Sequence, residues 1–309
     1  MLRPVAALIG AATRHSGFLG EASRYHLETG GSVRGAKPAL VCCGRLDAGE
    51  VGALANAVAC TLIQQTSIVH DDALGHANSK RAKKNVGALY GNAVAVYRSD
   101  HLMMCAFRLL AYAPNTVALA QLFADRVCDM AGGQAKEFSP MLWSTINWCR
   151  YLCLVKSKVD GMISLPVEVA AALGGLGAAE IPTVGQFTRT MGVAYQLTGD
   201  IADVAADCER GVLNGILVLA ICPADPQHAD SLSQAFTRVM QQGAAIHDET
   251  ALLASLRSAA EAARVWHDRL LANAMQKLSA HPLRQALLTA AAAIGSPAKA
   301  LPQVSHHAA

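Results

Sequence analysis

The chain has 309 residues, 52% of them apolar and 16% charged, and 26 basic against 23 acidic side chains leave a net charge of +3. That balance excludes the basic field expected of a nucleic-acid binder. The length supports a large buried core, and a mean hydropathy of +0.27 points to deep burial, an oligomer interface or an apolar ligand cavity.

The apolar stretch at 4–12 is short, and Arg14 and His15 follow it in place of a small-residue cleavage pattern, so no signal peptide is expected. No run approaches the about 18 to 20 consecutive apolar residues that span a bilayer. Nine cysteines (Cys42, Cys43, Cys60, Cys105, Cys128, Cys149, Cys153, Cys208, Cys222) are odd in number and scattered through apolar segments. They read as reduced core thiols of a soluble, cytoplasmic protein. Cys149 and Cys153 fall one helical turn apart, and without a further ligand nearby they read as structural.

Stretches 48–72, 92–113, 116–131, 144–173, 183–206 and 250–278 are rich in Ala, Leu, Met and Val, with apolar residues at helical spacing. Strand signals are almost absent. Breaks are expected at Gly30-Gly31, Gly132-Gly133, Gly174-Gly175, Ile181-Pro182, Cys222-Pro223 and His281-Pro282. None of these is a linker, so the sequence predicts one all-α domain over 1–295 and a loose tail over 296–309, where Pro, Ala and His accumulate.

Two acidic clusters stand out, His70-Asp71-Asp72-Ala73-Leu74-Gly75 and Gln196-Leu197-Thr198-Gly199-Asp200-Ile201-Ala202-Asp203. Gln196, Asp200 and Asp203 share one helical stripe, while Asp71 and Asp72 fan about 100° apart. Carboxylates clustered on apolar helices repel one another and cost desolvation energy, so a hard divalent cation is expected, Mg²⁺ first.

The ordered set of motifs resembles that of the trans-isoprenyl diphosphate synthases, the polyprenyl synthetase family. Thr29-Gly30-Gly31-Ser32 with Arg34 and Lys37-Pro38 resembles the family's basic Gly-Gly motif, and Ser67-Ile68-Val69-His70-Asp71-Asp72 its first aspartate-rich motif. Lys80-Arg81, Tyr90-Gly91-Asn92, Ser99-Asp100-His101-Leu102, Gly133-Gln134, Lys156-Ser157 and Tyr195-Gln196 leading into Asp200 and Asp203 follow in family order, covering about 17–215.

The resemblance implies an isoprenoid synthase-type bundle of antiparallel helices around a deep cavity, commonly homodimeric. It implies a Mg²⁺ set that binds an allylic diphosphate, promotes its ionisation, and leaves the cation to be attacked by isopentenyl diphosphate. By position, Asp71, Asp72, Asp200 and Asp203 become metal ligands or their supports, and Asp71, Asp72, Lys156 and Gln196 the catalytic set. Lys156 and Lys80 are expected on the allylic diphosphate, and Arg34, Lys37 and Arg81 on isopentenyl diphosphate. Thr66, Ser67, Gln134 and Ser157 complete the substrate-binding set. Thr66 and Ser67, one turn before the aspartates, are small and place no aromatic floor in the product pocket, with Ile63 and Met103-Met104 as deeper floor residues.

Departures from the family pattern are equally specific. Gly75 stands where the first motif ends in aspartate, and Gly199 where the second begins with one; His76 and Asn78 are not acidic substitutes. His76 is a poor match to Mg²⁺, and His70 reads as a supporting or core histidine. Ser32, Val33 and Gly35 replace basic positions, and the lysine-bearing loop after the second motif is shortened to Asp207-Cys208-Glu209-Arg210-Gly211. Three functions are compatible with this pattern. The leading one is a Mg²⁺-dependent prenyltransferase of isoprenoid biosynthesis; the others are a non-catalytic subunit of a heteromeric synthase with an active homologue, and a terpene cyclase or diphosphate lyase.

Overall fold

Helix-forming side chains dominate nearly every segment, and the structure, a computed structural model, is helical accordingly. It describes residues 2–29, 36–74, 79–80, 83–137, 146–210, 212–221, 226–242, 249–278, 284–285 and 287–289. In chain order the helices are α1 (Leu2–Ala12), α2 (Gly17–Thr29), α3 (Ala36–Arg45), α4 (Glu50–Leu74), α5 (Val86–Tyr90), α6 (Asn92–Leu110), α7 (Thr116–Glu137), α8 (Trp148–Val159), α9 (Leu165–Leu173), α10 (Ile181–Arg210), α11 (Gly215–Ile221), α12 (Pro226–Gln242) and α13 (Thr250–Lys277). Two-residue strands Ser79–Lys80 and Lys83–Lys84 pair antiparallel between α4 and α5.

Two compact units emerge. The first gathers the described residues of Met1–Asp129, Asp160–Thr188 and Pro282–Gly295, and the second those of Met130–Val159, Arg189–His281 and Ser296–Ala309. In the first, α4 and α6 form the most heavily packed pair, around Leu62, Ile63, Leu102 and Leu110, each no more than 1% exposed. Thr66 on α4 donates its hydroxyl to the Ser99 carbonyl of α6 at 3.2 Å, which fixes the register of the pair. Helix α9 packs on α3 and α4, and Asn56 Nδ2 donates to the Pro166 carbonyl at 3.0 Å. Glu168, fully buried, is paired bidentately with Arg126 at 2.7 and 3.2 Å, as a buried carboxylate requires. In the second unit, α11, α12 and α13 close a core that includes Ile216, Leu217, Leu232, Phe236, Leu252 and Leu256.

Two breaks fall differently from the sequence expectation. The helix expected over 144–173 is interrupted by a π-helical turn, Asp160–Ser164. Pro166 lacks an N–H and crowds the carbonyl four residues earlier, and the widened turn absorbs both effects. Conversely, α7 continues through Gly132-Gly133 to Glu137. A Cβ at Gly133 would lie 2.7 Å from the Ser157 Cβ, so this glycine permits a close helix approach rather than a turn. Gly174-Gly175 does end a helix, with Gly175 at φ 77°. Helix α4 contains the one described segment, Glu50–Ala73, long and apolar enough to cross a membrane by length and composition, and 67% of that stretch is buried within the protein.

Candidate functional site

The first acidic cluster occupies the last turn of α4, where Asp71 and Asp72 are half-buried and the turn itself contains no basic residue. A helix C-terminus already carries partial negative charge from its unpaired carbonyls, so two carboxylates there raise the negative potential further. That position favours a cation. His70 beside them is half-buried; burial lowers its affinity for a proton, and Asp100 opposes that effect. Upstream, Ile63 is fully buried and Thr66 nearly so, its hydroxyl also reaching the Leu62 carbonyl at 3.0 Å, while Ser67 is half-buried. Met103 is half-buried, but Met104 is 56% exposed, which corrects its expected place on an interior floor.

The second cluster is built differently. Asp200 on α10 is only 3% exposed, and both of its carboxylate oxygens are occupied by protein donors. Oδ1 accepts from Gln196 Nε2 at 2.8 Å, and Oδ2 accepts from the Gly215 N–H at 2.9 Å and from the Tyr151 hydroxyl. Asn214 extends the clasp by donating Nδ2 to the Asp200 carbonyl at 3.0 Å and to Asp207 Oδ2 at 2.9 Å, while its Oδ1 accepts from the Ile216 N–H. Burial pushes the Asp200 carboxyl above its ordinary value, the three hydrogen bonds pull it down, and Asp207 adds to the rise. Asp203, one turn on, is exposed.

Tyr151, Asn214 and Gly215 were not visible as partners in the sequence. The pair Asn214-Gly215 at the start of α11 is a plausible turn signal, but nothing local ties it to Asp200.

Elsewhere in the second unit, Lys156 is exposed on α8, and Ser157, half-buried, donates to the Cys153 carbonyl at 3.2 Å. Gly133 lies against Ser157, so the structure joins Gly133-Gln134 and Lys156-Ser157, which the sequence separates. Lys37 is exposed near the start of α3. Lys80 lies in the short strand Ser79–Lys80. Arg34, Gly75, His76, Asn78 and Arg81 fall outside the described residues.

The donors can be tested against a hard divalent cation. Asp71 and Asp72 fit it by chemistry and by their place at a helix C-terminus, and Asp203 offers an exposed carboxylate. Asp200 keeps acceptor capacity on Oδ1, which takes a single bond, but its three bonds from Gln196, Gly215 and Tyr151 compete with a cation for its oxygens. Among the described residues, no three His, Cys, Asp or Glu side chains converge as a metal-holding group.

The polyprenyl synthetase family pattern matches residues 18–212. The chain belongs to the polyprenyl synthetase family. It is 24% identical over 149 residues to solanesyl-diphosphate synthase 2, chloroplastic, of Oryza sativa subsp. japonica, a match covering 48% of this chain and 37% of that protein. The chain thus spans less than half the length of that curated relative. Its fold is similar to a decaprenyl diphosphate synthase from Rhodobacter capsulatus, with TM-score 0.81 and 20% identity over 95% of both chains. It is also similar to a polyprenyl synthase from Caulobacter crescentus complexed with calcium and isoprenyl diphosphate, with TM-score 0.80, 22% identity, and 95% and 94% coverage of this chain and that one. These likenesses establish the all-α isoprenoid synthase fold for this family member.

Proposed function

We propose that this polyprenyl synthetase-family chain is a prenyltransferase that condenses isopentenyl diphosphate with an allylic prenyl diphosphate, using Mg²⁺. The observation that carries the reading is the Asp71-Asp72 pair in the last turn of α4, where a divalent cation relieves both charge repulsion and the helix-end potential. Asp71 and Asp72 would hold the cation, and Asp203 is a further candidate. When bound, the cation supplies charge stabilisation to the leaving diphosphate. Lys156 offers an exposed ammonium to a diphosphate oxygen, and Lys37 a second one for isopentenyl diphosphate. Thr66 and Ser67, one turn before Asp71 on α4, are the positions that would line a prenyl pocket.

The same reading makes the protein a homodimer of the cytoplasm. Exposed Val96, Tyr97 and Met104 on α6 support an apolar interface, and the free thiols support a reducing compartment.

The test is incubation of the full chain with Mg²⁺, isopentenyl diphosphate and, separately, dimethylallyl, geranyl or farnesyl diphosphate. Longer diphosphates should form, and Asp71→Ala should reduce them at least ~100-fold; no product with any donor overturns the reading. A second reading, a non-catalytic subunit paired with an active homologue, is favoured by the burial and hydrogen bonding of Asp200 together with Gly199. Co-expression with a competent synthase should then change that enzyme's rate or product length.

A further inference from the structure

The first unit contains a cavity of about 330 Å³ where α1, α3 and the start of α4 meet. That volume falls at the lower end of the about 300 to 1,000 Å³ found for small-molecule sites. Leu40 and Cys43 of α3, Ala48 of the connecting loop, and Ala53 and Leu54 of α4 supply its apolar lining, and Leu40, Cys43 and Ala48 are each no more than 8% exposed. Burial raises the Cys43 thiol above its ordinary range, so the sulfur there is uncharged. Along α4, Leu54 stands 17 residues before Asp71, about 26 Å at the helical rise, which sets the cavity apart from the first aspartate cluster.

The charged part of the lining is acidic. Asp47 and Glu50 line the cavity from exposed positions, and no lysine, arginine or histidine lines it with them. Among the described residues, neither carboxylate forms an ion pair. Asp47 holds φ 52°, and its turn is fixed by the Leu46 N–H donating to the Cys42 carbonyl at 3.0 Å and the Ala48 N–H donating to the Cys43 carbonyl at 3.1 Å. Helix α3 ends at Arg45, so its last carbonyls add partial negative charge beside Gly44, while Glu50 in the first turn of α4 offsets the positive end of that helix.

An apolar cavity holds an apolar body by releasing water, and an acidic rim attracts a cation while repelling an anion. A hydrated metal ion gains nothing from the apolar lining, and a neutral hydrocarbon gains nothing from the carboxylates. An organic ammonium uses both. Exposed ion pairs are individually weak, so the apolar contact supplies most of the affinity and the two carboxylates the selectivity. We infer that this cavity binds a small organic cation, an ammonium group carried on a short alkyl chain or a single ring, with its charge directed to Asp47 and Glu50. The site takes no part in the diphosphate chemistry and does not rest on the prenyltransferase reading.

The experiment is calorimetric titration of the full chain with n-hexylammonium, 1-hexanol and hexanoate, three probes of one length and different charge, in excess Mg²⁺ so that carboxylates suited to a metal do not take the ammonium. Hexylammonium should bind saturably and about 10-fold more tightly than hexanol, and hexanoate should bind more weakly than either. Asp47→Asn combined with Glu50→Gln should bring hexylammonium down to the affinity of hexanol; asparagine, like aspartate, tolerates the left-handed backbone at 47. Gly44 lines the cavity, and a Cβ added there meets nothing within 4 Å, so Gly44→Leu fills the space and should abolish binding of hexylammonium and hexanol alike. No saturable binding of hexylammonium overturns the inference, as does equal affinity for hexylammonium and hexanol, or wild-type binding by Gly44→Leu. Should Gly44→Leu fail to fold, the double variant at the two exposed carboxylates decides: hexylammonium binding reduced to that of hexanol supports the site, and undiminished binding overturns it.

Discussion

Tyr151 on α8 donates its hydroxyl to the carboxylate of Asp200 on α10, and this bond ties the second acidic cluster into the packing of its unit. The same carboxylate oxygen holds the first N–H of α11, so one side chain joins three helices. Removing the phenolic hydroxyl leaves the buried carboxylate short of a donor. Hydrogen bonds to charged groups are worth about 1.5 to 3 kcal/mol, and Tyr151→Phe should lose stability of that order in urea unfolding. Its divalent-metal affinity, measured by calorimetry, should stay within twofold of wild type if Asp200 serves the fold. A large loss of metal affinity at unchanged stability would place Asp200 among the ligands instead.

Gly199 offers a direct way to rebuild the second cluster. A Cβ added there meets nothing within 4 Å, so Gly199→Asp fits without displacing a neighbour. Replacing glycine inside a helix also removes backbone entropy from the unfolded chain. The variant adds a carboxylate whose oxygens are not held by the Tyr151 clasp. Mg²⁺ affinity should rise about 10-fold, read as the concentration giving half-maximal stabilisation or turnover. An unchanged value would show that the missing aspartate is not what limits metal binding.

The sequence carried the helices and the family order of motifs because both are local: periodicity, glycine punctuation and short acidic runs are written in consecutive residues. The π-helical turn before Pro166 was missed because helical composition runs through it on both sides. The clasp on Asp200 was hidden for another reason. Tyr151 lies 49 residues from Asp200 in the chain, and an aspartate that ligates a cation looks identical, in sequence, to one that accepts a helix N–H. Burial and donor count separate the two, and neither is a property of the motif.

The buried thiols give a pH dependence with a fixed sign. Burial, with a smaller effect from Cys43, pushes Cys42 from 9.0 to about 12, and burial also raises Cys43 and Cys60. In the unfolded chain these thiols ionise from about pH 9, while in the folded protein they keep their protons. For Cys42 the contribution to stability is complete below pH 9 and is lost as pH rises toward 12, by about 1.4 kcal/mol per pH unit, and Cys43 and Cys60 act in the same direction. Urea melts in reductant at pH 8.5, 9.5 and 10.5 should show this decline, and Cys42→Ala should flatten its slope. An identical slope in the variant would assign the alkaline loss to other groups.

The adjacent glycines of α7 should respond in opposite directions to the same substitution. At Gly132 an added Cβ meets nothing within 4 Å, so Gly132→Ala gains helix propensity worth up to about 1 kcal/mol. At Gly133 the Cβ would sit 2.7 Å from the Ser157 Cβ and 3.1 Å from the Lys158 backbone N, and backbone cannot swing aside as a flexible side chain can. Gly133→Ala must push α8 away from α7, and overpacking of this kind costs about 1 to 3 kcal/mol. Because Lys156 lies on α8 beside Ser157, the displacement should also raise the KM for the allylic diphosphate more than it lowers kcat. Paired urea melts and steady-state kinetics check both parts: equal stabilities for the two variants would mean that the helices do not approach as closely as Gly133 allows, and a loss confined to kcat would mean that α8 does not position the substrate through Lys156.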